Sequence, residues 1–239
     1  MPEPISDLIW NCRPTADRPL MGQTVLVVED SRFACEALRL LCLRSGARIR
    51  RADSLESAAR HLAVYRPSVV LVDLGLPDGP GETLLRDLAR AQPRVEVLLA
   101  TSGDESRRAG ALAAGADDFL PKPLASIAAF QCAILAHLPP EAHPPGPRGV
   151  QDGTVTPDRI ALRDDLSHAA ELLSAAPDGA TLDYAAQFLG GLAISARDTA
   201  LGEAAAGLRT SRDAGTGVSD AMGALARLID ARLARADAV

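Results

Sequence analysis

The sequence predicts an α/β chain, a doubly wound sheet of five parallel strands, followed by an all-α four-helix bundle. Three observations carry this. From Thr24 to about Leu138 short β-branched runs alternate with amphipathic helical stretches, the pattern of a parallel sheet with helices on both faces. The segment 139–156 (PPEAHPPGPRGVQDGTVT) is rich in Pro and Gly and reads as a linker. From Pro157 onward strand-like runs cease, and only Ala/Leu-rich helical patterns remain. The expected organisation is a lead-in over 1–22, an α/β domain over 23–138, the linker, and a helical domain over 157–239.

The elements follow in order. Thr24–Val28 (TVLVV) is a buried strand ending in Glu29-Asp30. Arg32–Arg44 repeats apolar positions at helical spacing, with Gly46 as a stop. Arg48–Ala52 is a weaker strand whose arginines suit an edge. Leu55–Tyr65 is a helix capped by Ser54. Ser68–Val72 is a second strongly apolar strand, ending at Asp73. A helix over Glu82–Ala91, a strand over Val95–Ala100 and a helix over Glu105–Ala114 come next. A short strand Asp118–Leu120 and a helix Ser126–Leu138 complete the domain. In the lead-in, Ile5, Leu8, Ile9 and Trp10 are expected to dock locally.

Composition narrows the function. The chain is 239 residues, 47% hydrophobic, with net charge -6, so disorder throughout is excluded. No uncharged apolar run reaches the ~18–20 residues of a membrane helix, and the N-terminus lacks the order of a secretory signal. A cytoplasmic protein without membrane insertion is expected. The acidic balance argues against nucleic acid as partner. Cys12, Cys35, Cys42 and Cys132 are too scattered for a disulfide scaffold or a metal site and read as mostly buried thiols. Among 25 basic residues Lys122 is the only lysine. A compact charge on a flexible stem is wanted there, where a planar guanidinium is not.

In a doubly wound sheet, ligands gather beyond the carboxyl ends of the strands. Glu29, Asp30, Asp73, Thr101 and Lys122 all fall there. Carboxylates packed together repel and raise one another's pKa, and a hard divalent ion such as Mg²⁺ relieves this. A metal, a carboxylate, a hydroxyl and an ammonium at one point suit phosphoryl transfer, with Asp73 attacking phosphorus.

At these residues the chain resembles the receiver domain of two-component response regulators, a flavodoxin-like fold. The matching stretches are VLVVED (Val25–Asp30), VVLVDLGLPDGPG (Val69–Gly81), LLATSGD (Leu98–Asp104) and GADDFLPKPL (Gly115–Leu124). The resemblance implies that Asp73 is the phosphoacceptor. Asp30 and Asp73 then ligate Mg²⁺ directly, Glu29 more loosely, and the Gly75 carbonyl completes the protein ligands. Thr101 and Lys122 bind the phosphoryl oxygens, the bond before Pro123 is cis, and Phe119 is an aromatic switch residue. The loop from Thr101 to Gly115 is about one residue short of the family pattern, so Thr101 rather than Ser102 is taken as the hydroxyl. Gly75 and Gly103 flank the site without side chains, leaving room for water or a partner. A receiver catalyses its own phosphoryl transfer and hydrolysis and is not a conventional enzyme.

The C-terminal helices are expected at Asp158–Ala175, Leu182–Ala196, Ala200–Ser211 and Val218–Arg235, joined by short connections that favour a bundle. None is basic enough for a DNA reader. At ~100° per residue, Leu182, Ala185, Ala186, Leu189 and Ala193 share a buried stripe, and Gln187 and Gly191 fall on the opposite, exposed face. Adjacent Gly190 and Gly191 inside a helix cost ~1 kcal/mol each relative to alanine, which suits close approach by another surface. Tyr184 and Phe188 lie off the stripe, where they either extend this face into a docking patch with Gln187 and Gly191 or are covered by a neighbouring helix. AAQFLGGLA (Ala185–Ala193) resembles the histidine phosphotransfer domain, with Gln187 where that family has histidine and Gly190 where lysine is common. A carboxamide nitrogen has a delocalised lone pair and cannot be the phosphoryl nucleophile. The resemblance implies a docking shape without the chemistry; a generic Ala-rich bundle is the alternative. His168, about 130° from the stripe of Leu162, Leu166, Ala169 and Leu173, is exposed and is the alternative phosphoacceptor.

The expectation is a response regulator phosphorylated by a histidine kinase or phosphotransfer protein, with a bundle acting by protein contact. Its partners are a receiver, a kinase or a second copy in a homodimer. Two other readings stand beside it: a bifunctional phosphorelay protein passing phosphate through His168, and a phosphate sink.

Overall fold

Alternating side chains of one strand, Thr24–Val28 (β1), serve two cores. Val25 and Val27 face one layer of helices, Leu26 and Val28 the other. The computed structural model describes residues 13–146, 149, 152–175 and 177–236; the expected docking of Ile5, Leu8, Ile9 and Trp10, and Cys12, lie outside them. After β1 come a helix Arg32–Ser45 (α1), strand Arg48–Ala52 (β2), helix Leu55–Val64 (α2) and strand Val69–Asp73 (β3). Helix Gly81–Arg90 (α3), strand Val97–Ser102 (β4), helix Arg108–Ala113 (α4), strand Asp118–Pro121 (β5) and helix Ile127–Leu135 (α5) follow. All five strands are parallel, in the order β2-β1-β3-β4-β5. The order reverses between β1 and β3, so a crevice opens where Asp30 and Asp73 leave the sheet.

Local chemistry explains the boundaries. Ser31 caps α1 by accepting from the Ala34 amide, and Gly46, at φ 85, ends it in the left-handed region. Ser54 caps α2, and Asp78 accepts from the Leu55 and Glu56 amides. Gly75–Leu76 and Gly79–Pro80 pair antiparallel in a small hairpin absent from the expected elements. The helix expected over Glu105–Ala114 begins as a 3₁₀ turn, Glu105–Arg107, capped by Asp104. The charged edge strand β2 exposes Arg48, Arg50 and Arg51, which discourages pairing with another chain.

One core packs Leu38, Leu41, Phe130 and Ile134 on the sheet; the other packs Leu85, Leu88 and Phe119. Two segments outside the expected α/β limits join the first core. Leu20 is fully buried, with its amide on the Ser45 carbonyl at 2.9 Å. Val155 is buried and donates to the Ala125 carbonyl at 2.9 Å, beside a Ser126–Thr154 bridge. Cys35 and Cys42 are buried and Cys132 is exposed.

The C-terminal region is all helical: Arg159–Ser174 (α6), Gly179–Ala196 (α7), Thr199–Ala214 (α8) and Val218–Ala236 (α9). Neighbours in sequence pack on one another and α9 returns to α6, closing a bundle around Leu166, Ala169, Leu189, Leu208 and Ile229. No described helix is long and apolar enough to cross a membrane.

Asp198 caps α8 through the Leu201 amide and pairs with the Arg232 guanidinium of α9. The hydrogen bond from Arg232 holds its carboxyl below the usual carboxylate range despite partial burial. Its folded pKa is lowered, so its contribution is present above the unfolded pKa and lost as pH falls. Asp198→Ala is expected to cost about 1–3 kcal/mol in urea denaturation at neutral pH. The difference from the parent chain should shrink as the pH drops below ~4.

Candidate functional site

The carboxyl ends of β1, β3, β4 and β5 deliver five polar side chains to one crevice. Glu29 and Asp30 follow β1, Asp73 ends β3, Thr101 lies opposite Asp73 in the β3–β4 register, and Lys122 follows β5. One carboxylate oxygen from each of Glu29, Asp30 and Asp73 lies within 4.8 Å of the others. Lys122 reaches into this group, its Nζ 2.8 Å from Glu29 Oε2 and 3.4 Å from Asp73 Oδ2. Glu29 is 2% exposed, Asp73 7% and Lys122 9%, so these charges act in a poorly screened environment.

The electrostatics follow from that burial. Desolvation pushes the Glu29 carboxyl well above its usual range, with repulsion from Asp73 and Asp30 adding and Lys122 opposing. Desolvation and the Asp73 charge raise Asp30 to about 6. Burial alone lowers the Lys122 ammonium pKa, but Asp73 and Glu29 outweigh it and hold the pKa above its ordinary value. One ammonium faces three carboxylates, leaving an excess of negative charge that a hard cation relieves. The Thr101 hydroxyl is fully buried with no hydrogen-bond partner among the described residues, an acceptor-donor waiting for a group in the crevice. Three carboxylates, with Gly75 lining the same crevice, fit a hard divalent ion such as Mg²⁺.

The surrounding residues set the shape. Ser102, next to Thr101, lines the crevice and accepts from the Asp104 amide. The Lys122–Pro123 bond is cis, as is Gln92–Pro93. Phe119 is buried in the second core, with the Arg108 guanidinium 5.1 Å from its ring centre. A Cβ on Gly81 would stand 2.2 Å from the Asp73 carbonyl oxygen and 2.9 Å from Leu74 Cα, so only glycine lets α3 start this close to the end of β3.

The bundle sits over this crevice. From α6, buried Asp165 accepts from the Ser31 hydroxyl at 2.7 Å and from the Arg32 and Phe33 amides at 2.9 and 3.0 Å. It thus satisfies the free amides at the start of α1. Burial raises its pKa against these donors. From α7, the Tyr184 hydroxyl donates to Asp30 Oδ2 at 2.7 Å. A Cβ on Gly75 would stand 1.8 Å from Gln187 Nε2, and one on Gly103 would stand 2.6 Å from Ile194 Cδ1. The space left by both glycines is taken by α7 itself. A Cβ on Gly191 would lie 3.9 Å from Lys122 Nζ. Between the two units remains a cavity of about 530 Å³ lined by Asp73, Lys122, Gln187, Arg107 and Arg209 among others.

Of the expected docking face, Tyr184, Gln187 and Gly191 meet the α/β domain. Phe188 does not belong to an exposed patch: it is buried in the bundle cluster, which also takes in Phe33 of α1. Gly190 has open space where a side chain would be. His168 is exposed, stands edge-on to Phe188 at 5.8 Å, and does not line the cavity around Asp73. Asp165 and Ile194 were not among the expected site residues. Asp165 falls one turn before Ala169 on the apolar stripe, and an acid on that stripe was the available signal.

The family model of the response regulator receiver domain matches residues 25–131. The transcriptional regulatory protein KdpE of the Escherichia coli K12 KDP operon is 37% identical over 99 residues, 41% of this chain and 44% of that protein. The response regulator MprA of Mycobacterium sp. strain KMS is 33% identical over 130 residues, 53% of this chain and 56% of that one. This chain thus spans about half the length of the curated relatives it matches. Among solved structures, the receiver domain of sensor histidine kinase PA1611 from Pseudomonas aeruginosa PAO1 is 25% identical. The match covers 48% of this chain and 97% of that one, with TM-score 0.44.

Two outcomes follow from the packing. Gly81→Ala forces backbone against backbone and is expected to destabilise the α/β domain by about 3 kcal/mol, read by equilibrium denaturation. Asp165→Ala removes the shared acceptor and should speed hydrogen exchange of the Arg32 and Phe33 amides, leaving exchange in β3 unchanged.

Proposed function

Because residues 25–131 form a response regulator receiver domain, we propose that this chain is a two-component response regulator phosphorylated on Asp73 with the help of Mg²⁺. Its helical region acts through protein contacts and not by binding DNA. The observation that carries the reading is the convergence of Asp73, Glu29, Asp30 and Lys122 at the sheet's switch point.

Asp73 supplies the nucleophile: one carboxylate oxygen bonds to phosphorus while the bond from phosphorus to the donor's leaving atom breaks. Lys122, 3.4 Å from Asp73, stays protonated and balances charge on the phosphoryl oxygens, and the Thr101 hydroxyl offers them a hydrogen bond. Asp30, Asp73 and the Gly75 carbonyl would hold the metal, with Glu29 farther out because it is engaged by Lys122. Bound there, Mg²⁺ supplies further positive charge to the phosphoryl oxygens. Phe119 serves as the aromatic switch residue.

The donor is a histidine kinase or phosphotransfer protein, which places the reaction in the cytoplasm. The bundle reads best as a phosphotransfer-like unit without its histidine. Gln187 stands in the docking face of α7, and that face lies on a receiver, its own. The net charge of -6 supports an output other than DNA. The relay through His168 is less favoured, since that ring is turned toward Phe188 and away from the cavity.

The test is labelling by a small acyl phosphate with Mg²⁺. Acid-labile label is expected in the parent chain. It should fall below detection in Asp73→Asn and drop sharply when Mg²⁺ is chelated. Label that survives in Asp73→Asn and disappears in His168→Ala would overturn this reading in favour of the relay.

A further inference from the structure

A donor that carries its phosphoryl group on a helix must bring that helix to about 8–10 Å from the elements around Asp73, the ordinary packing distance, with the reacting atoms ~3 Å apart. That shell is already filled. Helix α7 touches the receiver at four places around the acceptor: Tyr184 on Asp30, Gln187 at Gly75, Gly191 above Lys122 and Ile194 at Gly103. The Asp165 clamp on the start of α1 fixes its neighbour α6. What remains open is the cavity of about 530 Å³, in the ~300–1,000 Å³ range that holds small ligands. Arg209 and Lys122 line it along with the acids around Asp73, and Arg107 on its wall is paired with Glu82 at 2.7 Å, so a small phosphoryl compound would meet two cations beside the carboxylates.

We propose that the docked bundle makes the phosphoacceptor selective by donor size. A small phosphoryl compound reaches Asp73 through the cavity, whereas phosphohistidine on a protein is excluded until α6 and α7 lift away. The inference rests on Asp73 being the acceptor. The chemistry is the same for both donors. The Asp73 oxygen–phosphorus bond forms and the phosphorus–nitrogen bond breaks. The nitrogen leaves with the electron pair as ammonia from phosphoramidate or as imidazole from phosphohistidine, taking up a proton from water where its charge requires one.

The experiment compares the full chain with Asp165→Ala and, independently, Asp164→Arg, which sets like charge against Arg32 of α1 where Asp164 of α6 now pairs with it. It uses two probes: phosphoramidate and a purified phosphotransfer domain loaded with phosphohistidine. Labelling of Asp73 by phosphoramidate is expected to stay within about twofold across the three chains. Transfer from the protein donor should rise about tenfold or more in both variants, the equivalent of ~1.4 kcal/mol of docking free energy removed. Transfer from the protein that is the same in all three chains, absent transfer included, overturns the proposal while phosphoramidate labelling leaves the acceptor reading intact. If phosphoramidate labels none of them at Asp73, the acceptor reading fails and takes this one with it.

Discussion

A single buried ammonium among three carboxylates is the constraint on which the rest of the structure turns. Lys122 cannot be left without Glu29 and Asp73, because an uncompensated charge at this burial is strongly unfavourable. The acids cannot all be ionised together without more positive charge than Lys122 provides. The parallel sheet resolves the geometry by ending β1, β3 and β4 at one edge, where buried Val28, Val72 and Ala100 hold the backbone rigid. A residual negative charge, which a cation relieves, and a Thr101 hydroxyl without a hydrogen-bond partner among the described residues are then properties of the folded state.

The second constraint is steric. The α/β domain presents glycine at two positions lining the crevice with Asp73, and α7 presents glycine above Lys122, so two units approach with little between them. In many proteins such gaps would admit water or a partner. Here Gln187 and Ile194 enter them from the same chain, and Asp165 satisfies the amides at the start of α1. Docking and site share residues: Asp30 takes a hydrogen bond from Tyr184 while belonging to the carboxylate cluster.

Much of this was legible beforehand, for local reasons. Apolar runs of β-branched residues bounded by acids mark buried strands and their ends, so Asp30, Asp73 and Lys122 could be placed at the sheet edge from residue order. The hairpin at Gly75–Leu76 and Gly79–Pro80 escaped because two-residue strands carry no periodicity. The opening of the helix at Glu105 escaped because a 3₁₀ turn and an α turn share their composition. Phe188 was misplaced because a helical wheel marks one stripe, and a bundle helix covered by two neighbours buries more than one.

Residue order thus settled which chemistry gathers at the strand ends, since period-two burial and strand termini are properties of a few consecutive side chains. Where the helical bundle rests was decided only in three dimensions. The Asp165–Ser31 and Tyr184–Asp30 contacts join residues 134 and 154 positions apart. An amphipathic pattern specifies the side of a helix that is buried in its own bundle; what covers the other side depends on the shape and charge of a surface that exists only after both units have folded.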